Sequence, residues 1–268
     1  MDSKEIVFSD LVRGLKALGV GPKGKFIIHS SLKMMGYVDG GAETVIDALK
    51  SLVTEDGTIM MPAFAIPPAE IFDIDKTPTT LGVIAETFRN MPNVVRSLHP
   101  THSVAIWGND KERYKSAHLF STALGYGSPI HLIIEDGGDI LLLGVGHWAN
   151  SAIHVAEAIA QVTYLDLPYS EEYARPLSVR MPDGTIREFT PNENPGCSIN
   201  FISVDGPLKK AGHVKYERVG DALIQRVDGR GLLSLVSDIL KENPGALLCK
   251  WELCPFCPRA RELIKEKA

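Results

Sequence analysis

Apolar positions recur with a helical period at the start of the chain. Ile6, Leu11, Leu15 and Leu18 share one face of a helix predicted over 2–18, and Gly19 ends it. Residues 25–28 form a short apolar strand, followed by His29-Ser30-Ser31-Leu32, small polar residues in a loop at the strand end. Gly36, Gly40 and Gly41 break the chain before a helix over 42–53, whose early Glu43 suits the helix dipole. Asp56-Gly57 signals a turn into a strand over 58–62. Helix, strand, loop, helix, strand is the order of a βαβ-like unit.

The pattern then loosens. Pro67, Pro68 and Pro78 make 65–80 a loop, and 82–90 is a helix carrying Glu86 and Arg89. Residues 94–108 divide into a polar half, with Arg96, Ser97, His99, Thr101, His102 and Ser103, and an apolar strand. A short helix over 111–120 follows, and Pro129 is placed at the first turn of another. Further on, Pro182-Asp183-Gly184 marks a hairpin within 176–189. A turn into a helix is predicted over 200–210, a strand over 213–219, helices over 221–227 and 231–243, and a strand over 246–251. There is no internal repeat or linker. The chain reads as one α/β domain over 1–268, with motifs in 1–160 and a C-terminal half, 161–268, completing the sheet and lining the site.

The chemically richest stretch is 139–157. A strand over 140–145 ends in glycine, Gly144 and Gly146 bracket a turn, and Asn150 and Ser151 can cap the next helix. That helix carries His154 and Glu157 one turn apart, on one face. A strand end, a glycine turn and a helix N-terminus is where open α/β sheets hold their chemistry. A carboxylate beside an imidazole fixes its tautomer and leaves the other nitrogen as a general base. A buried histidine merely satisfied by a glutamate fits the same residues. His147 together with His154 has no further ligand at a recognisable spacing, so no metal is expected there.

Composition sets outer limits. With 268 residues, 44% hydrophobic and 23% charged, the chain has the profile of a soluble globular protein. A net charge of −5 without a basic stripe argues against nucleic acid. The apolar runs are too short to span a membrane, and the polar start is unlike a signal peptide, so a cytoplasmic location is expected. The four cysteines are Cys197, Cys249, Cys254 and Cys257. Cys254-Pro-Phe-Cys257 is of glutaredoxin type but lacks a downstream sheet. Cys249, Cys254 and Cys257 could hold zinc with a histidine such as His213. The favoured expectation is reduced thiols in a helix-starting turn.

Ser30, Ser31, Arg96, Ser97, His99 and Ser103 are residue types that bind phosphate, through hydroxyls, backbone N–H groups and a guanidinium fork. Neither the dinucleotide nor the P-loop glycine fingerprint is present. Six segments in order then resemble the aminoglycoside 3-N-acetyltransferase family. They are His29-Ser30-Ser31-Leu32 with Gly36; 57–63, GTIMMPA; Gly82 to Arg89 with Glu86; Arg96-Ser97-Leu98-His99-Pro100 with Ser103; Gly127-Ser128-Pro129; and Leu143-Gly144-Val145 through Asn150 to His154 and Glu157. They cover about 25–160, and the part after Gly196 fits more loosely. Members often carry threonine after the asparagine; Ser151 here retains the hydroxyl.

The resemblance implies a single α/β domain with a central mixed sheet flanked by helices, distinct from the split-sheet acetyltransferases. It implies an acetyl-coenzyme A-dependent N-acetyltransferase acting on the 3-amino group of aminoglycoside antibiotics, and hence resistance. The runner-up is another amine metabolite in the same fold. By resemblance, His154 and Glu157 are the catalytic pair. His29, Ser30, Ser31, Leu32, Arg96, Ser97, His99 and Ser103 belong to the coenzyme A site. Ser128 or the amides of 30–32 are the expected oxyanion donors. Direct transfer needs neither metal nor thiol. A polycationic acceptor suggests carboxylates around it, with Asp73, Asp75, Asp166, Glu171, Glu172 and Glu193 as candidates. The partner expected is a small molecule, and the assembly a monomer or homodimer.

Overall fold

The computed structural model describes residues 5–118, 122–170, 173–190 and 195–267. Helix α1 (Phe8–Ala17) turns Leu11, Gly14 and Leu15 inward. Ile6, expected in this helix, instead forms an isolated bridge with Val38. Strand β1 (Lys25–Ser30) runs two residues beyond its apolar core, so His29 and Ser30 are strand residues. The short α2 (Leu32–Met35) follows at once, with the Ser31 hydroxyl accepting from the Met34 amide. Then come α3 (Gly41–Val53) and β2 (Thr58–Pro62), which lies parallel to β1 and completes the expected βαβ unit.

The middle of the chain adds β3 (Ile71–Phe72), α4 (Val83–Arg89), β4 (Val95–Arg96), β5 (Val104–Gly108), α5 (Lys111–Ser116), α6 (Pro129–Glu135), β6 (Asp139–Leu143) and α7 (Ala152–Ile159). The remainder supplies β7 (Leu177–Arg180), β8 (Ile186–Phe189), α8 (Asp205–Lys210), β9 (Val214–Val219), β10 (Ala222–Val227), α9 (Gly229–Glu242) and α10 (Cys257–Glu266). Among the described residues the main sheet is seven-stranded, in the order β4-β5-β2-β1-β6-β10-β9. Its centre, β2-β1-β6, is parallel and the flanking strands are antiparallel, which makes the sheet mixed. A small sheet, β3-β7-β8, holds the predicted hairpin.

Strand alternation builds two cores. Ile27, Met60, Ile106, Ile140 and Leu142 face one side and pack with residues of α6, α7 and α9. Phe26, Ile28, Ile59, Met61, Leu141 and Leu143 face the other and pack with α1, α3 and α4. Burying strands on both faces is what central parallel strands require, and it accounts for their near-continuous apolar runs. Each fully buried Ile, Leu or Met side chain stabilises the fold by about 1.5–3 kcal/mol.

Two expected elements differ. The helix predicted over 221–227 is strand β10, because Gly220 takes a left-handed φ of 57° and turns the chain back antiparallel onto β9. The strand predicted over 246–251 is a series of turns. The Leu248 amide donates to Gly245 O (3.1 Å) and the Cys249 amide to Cys257 Sγ (3.3 Å), so neither joins a sheet. No helix of the described residues is long and apolar enough to cross a membrane.

Candidate active site

The parallel strands β1, β2 and β6 end on the same side of the sheet. A cleft of about 790 Å³ opens there. His29, Ser30, Ser31 and Leu32 line it from the end of β1, and Pro62 and Phe64 from beyond β2. Val145, Trp148, Asn150, Ser151 and His154 line it from the segment after β6. Thr80 to Ala85, Tyr169, Tyr173 and Pro195-Gly196 close the remaining sides. This is the expected crevice at the carboxyl ends of strands. Its size suits a drug-sized ligand.

His154 projects from the first turn of α7. That turn is held by Asn150, whose Oδ1 accepts from the Ala152 amide at 3.2 Å. His154 Nδ1 lies 2.6 Å from Glu157 Oε2, and its ring packs on Phe201 at 4.8 Å. The other oxygen of Glu157 accepts from the Tyr164 hydroxyl at 3.1 Å. Burial, and then the Glu157 charge, push the Tyr164 phenol up, so it stays a donor. Carboxylate, imidazole and phenol therefore form one chain. With Nδ1 bonded to Glu157, Nε2 is the ring nitrogen left outside that pair. Sequence reasoning missed Tyr164, which sits seven residues after Glu157 and beyond the helix end.

His29 is buried and neutral. Burial, with His147 adding to it, lowers its pKa to about 3. Its Nε2 has no hydrogen-bond partner among the described residues, although it borders the cleft. His102, a second residue sequence reasoning left out of the site, lines the cleft beside Thr101, whose Oγ1 is 2.7 Å from its Nδ1. Burial, then the nearby His154 and His118, hold His102 at about 3. His147 does not pair with His154. It contacts Asn150 Nδ2 at 3.3 Å and lies 3.7 Å from Asp205.

Arg96, Ser97, His99 and Ser103 of the second expected phosphate loop are buried. Arg96 is buried and does not reach the cleft. Its guanidinium donates to Ser103 Oγ (3.0 Å), to the carbonyls of Ala63 (2.7 Å) and Ile74 (3.3 Å), and to that of Thr77. It also stacks 4.9 Å over the Phe72 ring. Nor does it pair with Glu86, which binds Arg89 and the Thr79 amide. Ser103 donates to Ala63 O, Ser97 accepts from the Val104 amide and meets His118 Nδ1, and His99 Nδ1 accepts from the His102 amide. These four residues hold the β4–β5 hairpin together, and through it present Thr101 and His102 to the cleft. Ser128 is likewise not at the cleft. It caps α6, accepting from the His131 amide at 3.3 Å.

Arg96→Ala is accordingly expected to act on stability. Several buried carbonyls would lose their donor, at a cost of about 3–5 kcal/mol in all. Chemical denaturation should show this as a shifted midpoint. Unchanged stability with a raised Michaelis constant for the acyl donor would return Arg96 to a binding role.

The acidic candidates fare similarly. Asp73 closes its own turn through the Asp75 and Lys76 amides and pairs with Arg180 at 3.2 Å. Asp73, Asp75 and Asp166 are absent from the cleft wall, which carries no carboxylate among its described residues and has Lys33 as its cation. Glu171, Glu172 and Glu193 lie outside the described residues.

A buried carboxylate–imidazole pair at the strand-end cleft of a mixed α/β sheet marks a candidate active site. The aminoglycoside 3-N-acetyltransferase family model matches residues 27–241, and the chain belongs to that family, an acyltransferase family. It is 32% identical over 238 residues to aminoglycoside N(3)-acetyltransferase IV of Salmonella sp., covering 88% of each chain. The fold superposes on the apoenzyme of aminoglycoside acetyltransferase AAC(3)-IVa with a TM-score of 0.84, 31% identity, and coverage of 97% of this chain and 98% of that one. A mutant of that enzyme in complex with a gentamicin gives 0.86 and 30% identity, covering 98% and 99%.

Proposed function

We propose that this chain transfers an acetyl group from acetyl-coenzyme A to the 3-amino group of an aminoglycoside, directly, within one ternary complex. The observation that carries the reading is the His154–Glu157–Tyr164 chain at the cleft wall. His154 Nε2 takes the proton that the attacking amine must lose. Glu157 orients the ring and balances the positive charge that develops on it, and Tyr164 holds Glu157 in place.

Acetyl-coenzyme A supplies the activated acyl carbon and leaves as a thiol. The cleft fits its parts. The apolar wall of Leu32, Phe64, Ile66 and Val83 suits a pantetheine arm. His29 Nε2 is a buried polar atom awaiting a partner. Lys33 takes the phosphate-facing task expected of Arg96, and the amides following Ser30 are the remaining oxyanion donors. His102, neutral and adjacent to His154, adds a fixed polar edge. The chain then functions as one domain, since β9 and β10, from the C-terminal half, extend the sheet that carries the site.

The test is a thiol-release assay with acetyl-coenzyme A against a panel of aminoglycosides and unrelated amines, with the acetylated product mapped by mass spectrometry and NMR. Acetylation at the 3-amino group is expected. Turnover confined to amines outside the aminoglycosides would move the reading to another metabolite in the same fold. Release without any amine acceptor would remove N-acetyl transfer.

A further inference from the structure

Cys197 is far in sequence from Cys249, Cys254 and Cys257, yet the fold gathers all four. Their sulfur atoms lie within 4.8 Å of one another, and each side chain is buried. The Sγ atoms of Cys197 and Cys249 are 3.8 Å apart. That is far beyond the roughly 2.05 Å of a disulfide. It matches the edge of a sulfur tetrahedron, which for a zinc–sulfur bond of about 2.3 Å is about 3.8 Å. Two amides already point at sulfur: Cys257 N–H donates to Cys254 Sγ (3.4 Å) and Cys249 N–H to Cys257 Sγ (3.3 Å).

We propose that Cys197, Cys249, Cys254 and Cys257 hold one zinc ion as a closed, structural tetrathiolate site. Cys254-Pro-Phe-Cys257 supplies the C-x2-C pair that such sites use, Cys249 the third sulfur, and Cys197 the fourth. Binding releases the thiol protons to solvent and leaves four zinc–sulfur bonds, with no electron transferred. Four protein ligands leave no open position, so the ion has no part in acyl transfer. His213, the alternative fourth ligand, is committed to Asp228 at 3.0 Å. Packing alone explains buried cysteines one at a time, but not the convergence of every cysteine in the chain on one point.

The ion ties the chain's end to the cleft. Pro195, Gly196 and Ser198, which flank Cys197, line the cleft wall. Phe256, between two of the ligands, packs so tightly on Gly196 that a Cβ there would come within 2.4 Å of its ring. The same ring stacks on Tyr169 at 6.2 Å and meets Tyr164 edge-on at 5.8 Å. Zinc therefore acts as the clamp behind the wall that backs the His154–Glu157–Tyr164 chain.

The decisive measurement is elemental analysis of the full chain, purified without a metal-affinity tag or added metal. About one zinc per chain is expected. Cobalt(II) added to stripped protein should give the intense visible bands of tetrahedral thiolate coordination. Stripping should lower the melting temperature by about 10 °C, and zinc alone should restore it. Cys197→Ser should lose the ion. Four thiols that react freely in metal-free native protein, with a melting temperature indifferent to zinc, would overturn the proposal. So would a disulfide, iron in place of zinc, or one zinc retained in a Cys197→Ser/Cys257→Ser variant.

Discussion

Replacing His154 by alanine is expected to lower turnover by about two to four orders of magnitude, with acetyl-coenzyme A binding nearly unchanged. The amine must be neutral to attack, and His154 is the ring that the structure sets at the cleft with a buried carboxylate behind it. Alanine removes the proposed proton acceptor and the ring that Glu157 holds, leaving the Tyr164 contact to the carboxylate. Glu157→Gln should cost less, because an amide oxygen can still accept from the ring while the balancing charge is gone. Tyr164→Phe should cost least of the three, since His154 continues to hold the carboxylate. Steady-state kinetics at saturating acyl donor give the order. Near wild-type turnover in the alanine variant would remove His154 from the mechanism. A larger loss in the glutamine variant would make Glu157 the base.

How much of this was readable in advance differs from element to element. Strand 58–62 was found to the residue because an Asp-Gly turn precedes it and its side chains are almost all apolar. The His154–Glu157 pair was readable because helix geometry alone fixes residues one turn apart. Tyr164 was not, because its approach to Glu157 depends on how the chain turns after α7. The polar residues of 96–103 misled for a physical reason. The donors that suit a phosphate also suit buried carbonyls, and no local pattern tells which side of a hairpin faces the cleft. Helix 221–227 failed because Asp221 fits an N-cap as well as a hairpin turn, and pairing with β6 and β9 decided the matter. Cys197 was invisible as a fourth ligand because the separation in sequence carries no spacing signal.

Acidification is expected to destabilise the protein progressively from about pH 6.5 down to pH 5, above the range in which carboxylates protonate. His29, His99, His102 and His118 are all buried, and burial is the first cause holding each below its ordinary value: near 3 for His29 and His102, near 4 for His118, and well down for His99. His131 and His147 are pushed the same way by burial. An unfolded imidazole titrates at about 6.5, so between that pH and the native values the unfolded chain binds more protons. Stability is therefore complete above about pH 6.5 and is lost as pH falls. His99 acts in this direction, and His29, His102 and His118 each contribute a loss of up to about 2 kcal/mol between pH 7 and pH 5, together up to about 6 kcal/mol. That is comparable with the whole stability of a typical domain. The depressed carboxylates of Glu86 and Asp136 also lose their contribution on acidification, but only at lower pH. Thermal melts from pH 8 to pH 5, with calorimetric proton uptake on unfolding, check this. A melting temperature flat across that range would show that these imidazoles are protonated in the native fold.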